Sequence, residues 1–146
     1  MYTSSQISVL LDRFKKLTLA KTEWTHHAHI MVAAGFICEY GLQKAVPMIR
    51  ESIKTYNVTT GGVNTDTAGY HETITMFWIA KVHEFICANE HITDLTELIN
   101  TMLEGKFSNA SYPYEYYSKD FLMSVEARKN FLLPDLKTLE WPEEIR

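Results

Sequence analysis

Three histidines fall within four positions at the front of an apolar segment. The stretch EWTHHAHIMVAAGF contains His26, His27 and His29. Residues three and four positions apart share one face of a helix, so His26 and His29 are expected on the side that packs inward. His27 projects about 100° away from His26 and is expected to be dispensable. Two inward imidazoles at this spacing are typical of metal ligands or of acid and base groups.

A second motif, GYHETIT, begins another helical segment and supplies a further histidine, His71. Its spacing from the apolar residues that follow places the imidazole on the core side of that helix. If the second and fourth helices run parallel, their starts lie at the same end of the bundle and the three inward histidines meet. The sequence therefore predicts a divalent metal, such as zinc, nickel or iron, held by His26, His29 and His71.

Two glutamates accompany these histidines: Glu23 lies one turn before the first pair, and Glu72 directly follows His71. Helix N-termini carry partial positive charge, which favours the neutral imidazole that a metal requires but disfavours the cation itself. A carboxylate would offset these dipoles, so Glu72 or Glu23 is predicted to be the fourth ligand or the catalytic general base. The same dipoles attract an anionic ligand, which the loop residue Asn64 would contact.

The bulk composition limits the possible functions. The chain of 146 residues carries a net charge of -4 and has no basic stripe, so a nucleic-acid partner is not expected. Its longest apolar run, residues 30–38, is too short to span a bilayer, and its first residues lack the pattern of a signal peptide. Cys38 and Cys87 are interpreted as buried, reduced thiols, which predicts a cytoplasmic location.

The apolar spacing along the chain is mostly helical. It predicts helices over residues 5–19, 23–40, 42–56, 70–90 and 94–103, and Pro47 requires the third to kink or to start later, near Val46. The start of the fourth segment would also suit a strand, but its long helical period favours a helix. Short helices are expected after Ser118 and Ser124, which can act as N-caps. The predicted fold is all-α, a single domain over residues 1–146 with about four main helices in a bundle and a C-terminal wrapping segment of short helices.

Residues 57–69 form the clearest predicted loop, because they are rich in Gly, Thr and Asn. The loop lacks the lysine of a phosphate-binding loop, and its part from residue 61 to 69 is expected to border or gate the site. His83 and His91 have no partners at ligand spacing and are expected on the surface. Four tyrosines of the tail are interpreted as cover for the core rather than a ligand cage: Tyr112, Tyr114, Tyr116 and Tyr117.

Three stretches, WTHHAH, GYHETIT and YYSKDFLMSVEAR, together carry a resemblance that spans most of the chain. They resemble a group of bacterial helical proteins with W-T-H-x-x-H, G-Y-H-E-T-[IL]-T and Y-S-x-x-x-L-x-S-x-E-A-R motifs, for which no activity is established. A weaker similarity, in architecture only, is to DinB/YfiT-like bundles that bind a divalent ion. The first resemblance implies one site that joins the histidines and Glu72 to four substrate-binding residues, Trp24, Thr25, Tyr70 and Thr75.

Three functional hypotheses follow from these patterns. The first is a cytoplasmic metalloprotein, an enzyme such as a metal-dependent hydrolase or transferase that acts on a small polar molecule. The second is a metal-free protein that binds a small molecule and uses the same histidines as hydrogen-bonding groups. The third is a structural or interaction module whose histidines are satisfied core residues. The substrate, the reaction and the oligomeric state have no signal in the sequence.

Overall fold

The helices of the protein follow the predicted order along the chain. A computed structural model describes residues 1–145, and within that range it contains no strand. The all-α fold, with main helices and a tail of short ones, is thereby confirmed. The helices are α1 (Ser4–Lys15), α2 (His26–Tyr40), α3 (Leu42–Thr59), α4 (Glu72–Ala88), α5 (Leu95–Leu103), α6 (Lys119–Leu122) and α7 (Val125–Lys129).

Short polar side chains set the starts of several helices. The hydroxyl of Thr25 accepts a hydrogen bond from the backbone N–H of Ala28, which begins α2 at His26. The predicted start at residue 23 is therefore wrong by three positions, because Lys21–Glu23 form a separate 3-10 turn. Ser124 caps α7 through the N–H of Ala127, as predicted.

The end of α1 has no sequence signal. α1 was expected to reach residue 19, but it ends at Lys15 because Leu17 adopts a left-handed backbone conformation with φ of 60°. The N–H of Leu17 donates to the carbonyl of Phe14, and the N–H of Thr18 donates to the carbonyl of Arg13. These two bonds form a Schellman motif, which usually contains glycine at the left-handed position.

The proline of α3 lies inside the helix. α3 starts at Leu42, so the alternative of a later start near Val46 is wrong. Pro47 lacks an N–H, so the carbonyl of Gln43 receives no helical hydrogen bond from it. The helix nevertheless continues to Thr59, which gives it the length to return the chain across the bundle.

Contacts between α3 and the start of α4 fix the direction of these two helices. Arg50 pairs with Glu72, and Lys54, one turn later in α3, lies over the ring of Tyr70, before α4 begins. The later residue of α3 therefore contacts the earlier residue near α4, and the earlier residue of α3 contacts the later one. The two helices run antiparallel.

Aromatic packing fixes the direction of α2. Trp24, just before α2, packs against Tyr56 near the end of α3, with ring centres 5.2 Å apart. α2 is therefore antiparallel to α3, and consequently parallel to α4. The parallel arrangement of the second and fourth helices, on which the predicted histidine site depends, is present.

Buried apolar side chains from α1 to α6 form one continuous cluster. The two cysteines lie outside it: Cys38 and Cys87 are exposed free thiols in the last turns of α2 and α4. The prediction that they are buried is wrong. Both cysteines follow the packed part of a helix that is apolar on most sides, so the sequence does not indicate which face is exposed. Among residues 1–145, no helix combines the length and the apolar character needed to cross a bilayer.

Candidate functional site

His71 joins the start of α4 to the C-terminal tail. Its Nδ1 accepts a hydrogen bond of 3.2 Å from the N–H of Ile74, which makes it the N-cap of α4. Its Nε2–H donates to the carbonyl of Leu122 at 2.8 Å. Burial lowers the pKa of His71, so the imidazole is neutral at pH 7. Both ring nitrogens have partners, and the single in-plane lone pair, on Nδ1, already accepts a hydrogen bond.

His26 points toward a different part of α4. Its Nε2–H donates to the carbonyl of Phe107 at 2.7 Å, and its ring centre lies 4.8 Å from that of Trp78. Trp78 follows His71 by seven residues, a distance of about 10 Å along a helix axis. The two helices are parallel but offset along their axes, so the imidazoles of His26 and His71 are held at different levels. Burial also lowers the pKa of His26.

His29 stacks on an aromatic ring. Its ring centre lies 3.8 Å from that of Trp24, which also stacks on Phe14 at 4.7 Å. The Nδ1–H of His29 donates to the carbonyl of Thr25 at 2.7 Å. Its Nε2 has no hydrogen-bond partner among residues 1–145. Burial lowers the pKa of His29 to about 4, so this nitrogen is an unprotonated acceptor at neutral pH.

The three predicted metal ligands are not brought together. Over the described part of the chain, no three His, Cys, Asp or Glu side chains are placed to hold a metal ion. His26 and His29 each keep one ring nitrogen outside the hydrogen bonds described above, whereas His71 keeps none. The metal site stays a prediction from the sequence.

Glu72 belongs to an ion pair rather than facing a histidine. Arg50 donates from Nε and Nη2 to the two carboxylate oxygens of Glu72, at 2.7 to 3.1 Å. The hydroxyl of Tyr70 donates to the same carboxylate at 3.0 Å. Burial, and then the charge of Glu72, raise the pKa of Tyr70 well above its ordinary value, while a hydrogen bond with Thr75 opposes this rise. Two predicted substrate-binding residues, Tyr70 and Thr75, thus lie beside the predicted catalytic Glu72.

Glu23, the other predicted catalytic carboxylate, lies on the surface. It accepts a hydrogen bond of 3.4 Å from the N–H of Ala20, and it lies 3.9 Å from Arg13. About half of its side chain is exposed. Its role as a general base stays a prediction.

Asn64 organises the loop that precedes α4. Its Oδ1 accepts hydrogen bonds from the side chain of Asn57 and from the N–H of Tyr70. Its Nδ2 donates to the backbone carbonyl of Lys54. Gly69 has φ of 83°, and a Cβ there would lie 1.9 Å from the carbonyl oxygen of Val63. The polar atoms of Asn64 therefore hold a folded loop, and the substrate-binding role predicted for them would require these bonds to open.

A groove of about 300 Å³ lies between this loop and the 3-10 turn before α2. Trp24 and Lys21 are among the residues that line it, and within residues 1–145 no hydrogen bond engages the indole N–H or the ammonium. The remaining walls come from the end of α3 and from the loop: Tyr56, Asn57, Thr60, Gly62, Val63, Ala68 and Gly69. The loop predicted to border the site therefore borders a groove that contains Trp24.

Two cationic side chains were missed by the sequence reasoning. Arg50 lies in the interior of α3, where nothing in its local sequence marks it as the partner of Glu72. Lys81 is buried on α4, and its signal was present: a lysine four positions from both Phe77 and Phe85, in the apolar stripe of that helix.

Comparisons with known proteins returned no relative. No protein-family model, no curated protein and no solved structure matches this chain. The resemblance carried by the three sequence motifs therefore stays an expectation.

Proposed function

We propose that this protein binds a small polar molecule without a metal, in the groove beside Trp24, and that its inward histidines act as neutral hydrogen-bonding groups. The observation that carries the metal-free part of the proposal is common to His26, His29 and His71, none of which lines the groove. Each donates one ring N–H to a backbone carbonyl, and burial lowers each pKa. Imidazoles anchored in this way have a fixed tautomer and no charge at neutral pH.

The groove offers donors that the fold itself does not use. The indole N–H of Trp24 and the ammonium of Lys21 suit a ligand with carbonyl or other acceptor oxygens. The ring of Tyr56 supplies apolar contact area, while its hydroxyl is occupied by the carbonyl of Leu19. The volume is at the small end of the range for ligand sites, which favours a compact molecule.

The stack of His29 on Trp24 keeps the indole in place. A ring held at 3.8 Å by an imidazole, and by Phe14 at 4.7 Å, has little freedom to turn, so its N–H keeps one direction. A donor that is already oriented loses less entropy when a ligand binds.

The proposal is tested by ¹H–¹⁵N NMR of the full chain during titration with acetamide and with acetate. The expected result is a joint shift of the Trp24 indole N–H and the Gly69 amide, which Trp24→Phe removes. Trp141→Phe is the matched control, because Trp141 stacks on Phe131 and does not line this groove. Shifts that avoid the groove, or persist in Trp24→Phe, would contradict the proposal.

A metalloenzyme is the second candidate, and one observation favours it. Histidines that bind metal usually donate their other ring N–H to a carbonyl or carboxylate, as His26 and His29 do here. The candidate uses zinc, nickel or iron and requires His71 to give up one of its two hydrogen bonds. Elemental analysis of untagged protein separates the two proposals. The cytoplasmic location remains part of either one and is tested by cell fractionation.

A further inference from the structure

Lys81 is a buried cation on α4, on the side that faces the tail. Only about 10% of its side chain is exposed, and its ammonium donates to the carboxylate of Glu84 at 2.8 Å. The same ammonium lies 5.1 Å from the ring centre of Tyr116 and 5.8 Å from that of Tyr112. Burial of an ammonium is unfavourable unless it is paired, so Glu84 and the two rings are what keeps Lys81 charged.

The carboxylate partner of Lys81 is much more exposed than Lys81 itself. Half of the Glu84 side chain is in contact with solvent. A side chain on the rim of a helix can rotate into water without loss of core packing. The ammonium is therefore fixed inside the fold, while the group that neutralises it can be exchanged for another anion.

A cavity of about 210 Å³ lies in front of this pair. Lys81 and Glu84 are its charged lining residues, and the rest of its wall is apolar or aromatic: Phe85, Ala88, Phe107 and Tyr112. Aromatic walls beside a cation suit a ring that carries an acid group.

Two further lysines make the surroundings of the cavity positive. Lys106 lies 5.3 Å from the ring centre of Tyr112, and Lys137 lies 4.9 Å from that of Tyr116. Neither lysine lines the cavity itself, but cations beside a site attract anionic ligands toward it. Lys106 also pairs with exposed Glu115, which leaves Lys137 as the less neutralised of the two.

The protonation of this cluster agrees with a cationic cavity. Burial opposes the charge of Lys81, but hydrogen bonds to Glu84 and Tyr116 outweigh it and raise the pKa above its ordinary value. Burial also opposes ionisation of Tyr116, yet hydrogen bonds from Lys81 and Tyr112 lower the pKa of that phenol below its ordinary value. The raised pKa keeps Lys81 cationic, and the lowered pKa of Tyr116 indicates that this cation favours a negative charge placed beside it.

We propose that this cavity binds a small carboxylic acid whose carboxylate is attached to an aromatic ring, and that the ligand's carboxylate replaces Glu84 on Lys81. The ligand's ring lies against the surface that Phe85, Phe107 and Tyr112 form together, since the ring of Phe107 already packs against the other two. The site goes beyond the groove proposed above, since none of its walls is shared with that groove.

Calorimetric titration of the full chain with benzoate and with benzamide tests the inference, because the two probes share their shape and differ in charge. Benzoate is expected to bind at millimolar concentrations and benzamide about tenfold more weakly or worse, since it lacks the charge-assisted bond to Lys81. Lys81→Met is expected to weaken benzoate binding by a similar factor. Equal binding of the two probes, or no benzoate binding at all, would overturn the proposal.

Glu84→Gln provides a test that does not depend on changing a buried residue. Removal of the competing carboxylate is expected to tighten benzoate binding severalfold, while Glu90→Gln, the same change at an exposed position beyond α4, leaves it unchanged. Benzoate affinity that is the same in Glu84→Gln as in the unchanged chain would show that Glu84 is only a structural partner. The Trp24→Phe variant is expected to bind benzoate normally, so failure of the groove proposal is distinguishable.

Discussion

The Nε2 of His71 lies 2.8 Å from the carbonyl oxygen of Leu122, and this bond joins residues 51 positions apart. It attaches the start of α4 to α6 while the other ring nitrogen caps α4. Thr73, two positions later, bonds to the tail as well, with its hydroxyl 2.6 Å from the carbonyl oxygen of Ala127. The GYHETIT motif therefore contains residues that hold the C-terminal segment against the bundle.

Replacement of His71 should destabilise the fold whether or not metal is present. His71→Ala removes the cap and leaves the carbonyl of Leu122 without its donor, which is expected to lower the free energy of unfolding by about 2–4 kcal/mol. His71→Asn keeps a capping side chain, so its free energy of unfolding should fall by less. Urea unfolding followed by circular dichroism measures both. Equal stability of His71→Ala and the unchanged chain would refute this structural role.

The histidines should make stability fall in mild acid. An imidazole whose pKa is lower in the folded state binds fewer protons there than in the unfolded chain, so its contribution is full above the ordinary pKa of 6.5 and is lost as pH falls. For His29 the loss should occur between about pH 6.5 and the folded pKa of about 4, and amount to no more than about 3 kcal/mol.

His29→Phe isolates this contribution, because it retains a ring to stack on Trp24 and cannot titrate. Urea unfolding from pH 7.5 to pH 4 is expected to show a shallower decline in the variant than in the unchanged chain. His91→Phe, at an exposed position, serves as the control. Parallel pH profiles for the unchanged chain and His29→Phe would contradict the lowered pKa.

The ion pair between Arg50 and Glu72 should be strongly coupled. Removal of one partner leaves a partly buried charge with its hydrogen bonds unmade, so Glu72→Gln and Arg50→Met should each lower the free energy of unfolding by about 1–3 kcal/mol. The double variant should lose less than the sum of the two. A double-mutant cycle that gives additive losses would show that the pair contributes no coupling energy.

Two glycines of the loop before α4 form a matched pair for testing its packing. Gly61 and Gly69 have φ of 87° and 83°, but only Gly69 has atoms within reach of a new Cβ. Gly61→Ala should lower the free energy of unfolding by about 1–2 kcal/mol through backbone strain alone. Gly69→Ala should lower the free energy of unfolding by more than Gly61→Ala does, and it should expose the Tyr70 amide to hydrogen exchange. Equal losses would mean that the loop is not packed as described.

Much of the fold could be predicted because its signals are local. Ser124 is a short polar residue before a helical segment and caps α7 at the expected place, whereas Thr25 caps α2, which begins three positions after the predicted start. A helix as long as α3 allows the helices on either side of it to run parallel, as α2 and α4 do. The end of α1 could not be predicted, because Leu17 adopts a backbone conformation that its residue type disfavours.

The candidate site was harder to predict than the helices around it. Helical phase placed His26 and His71 on inward faces, but phase says nothing about the axial offset between two parallel helices. That offset is set by packing, here by the ring of Trp78 against His26. The partner of His71, the carbonyl of Leu122, lies in a distant short helix and leaves no pattern in the sequence around either residue.

The central claim is that the inward histidines are neutral, metal-free hydrogen-bonding groups, and long-range ¹H–¹⁵N NMR of the imidazoles in untagged protein tests it most directly. Near pH 7.5 the account predicts an Nδ1–H tautomer for His29, Nε2–H tautomers for His26 and His71, and signals that stay in place when zinc is added. Joint displacement of the signals of His26, His29 and His71 by one equivalent of zinc would contradict it and establish the metal site.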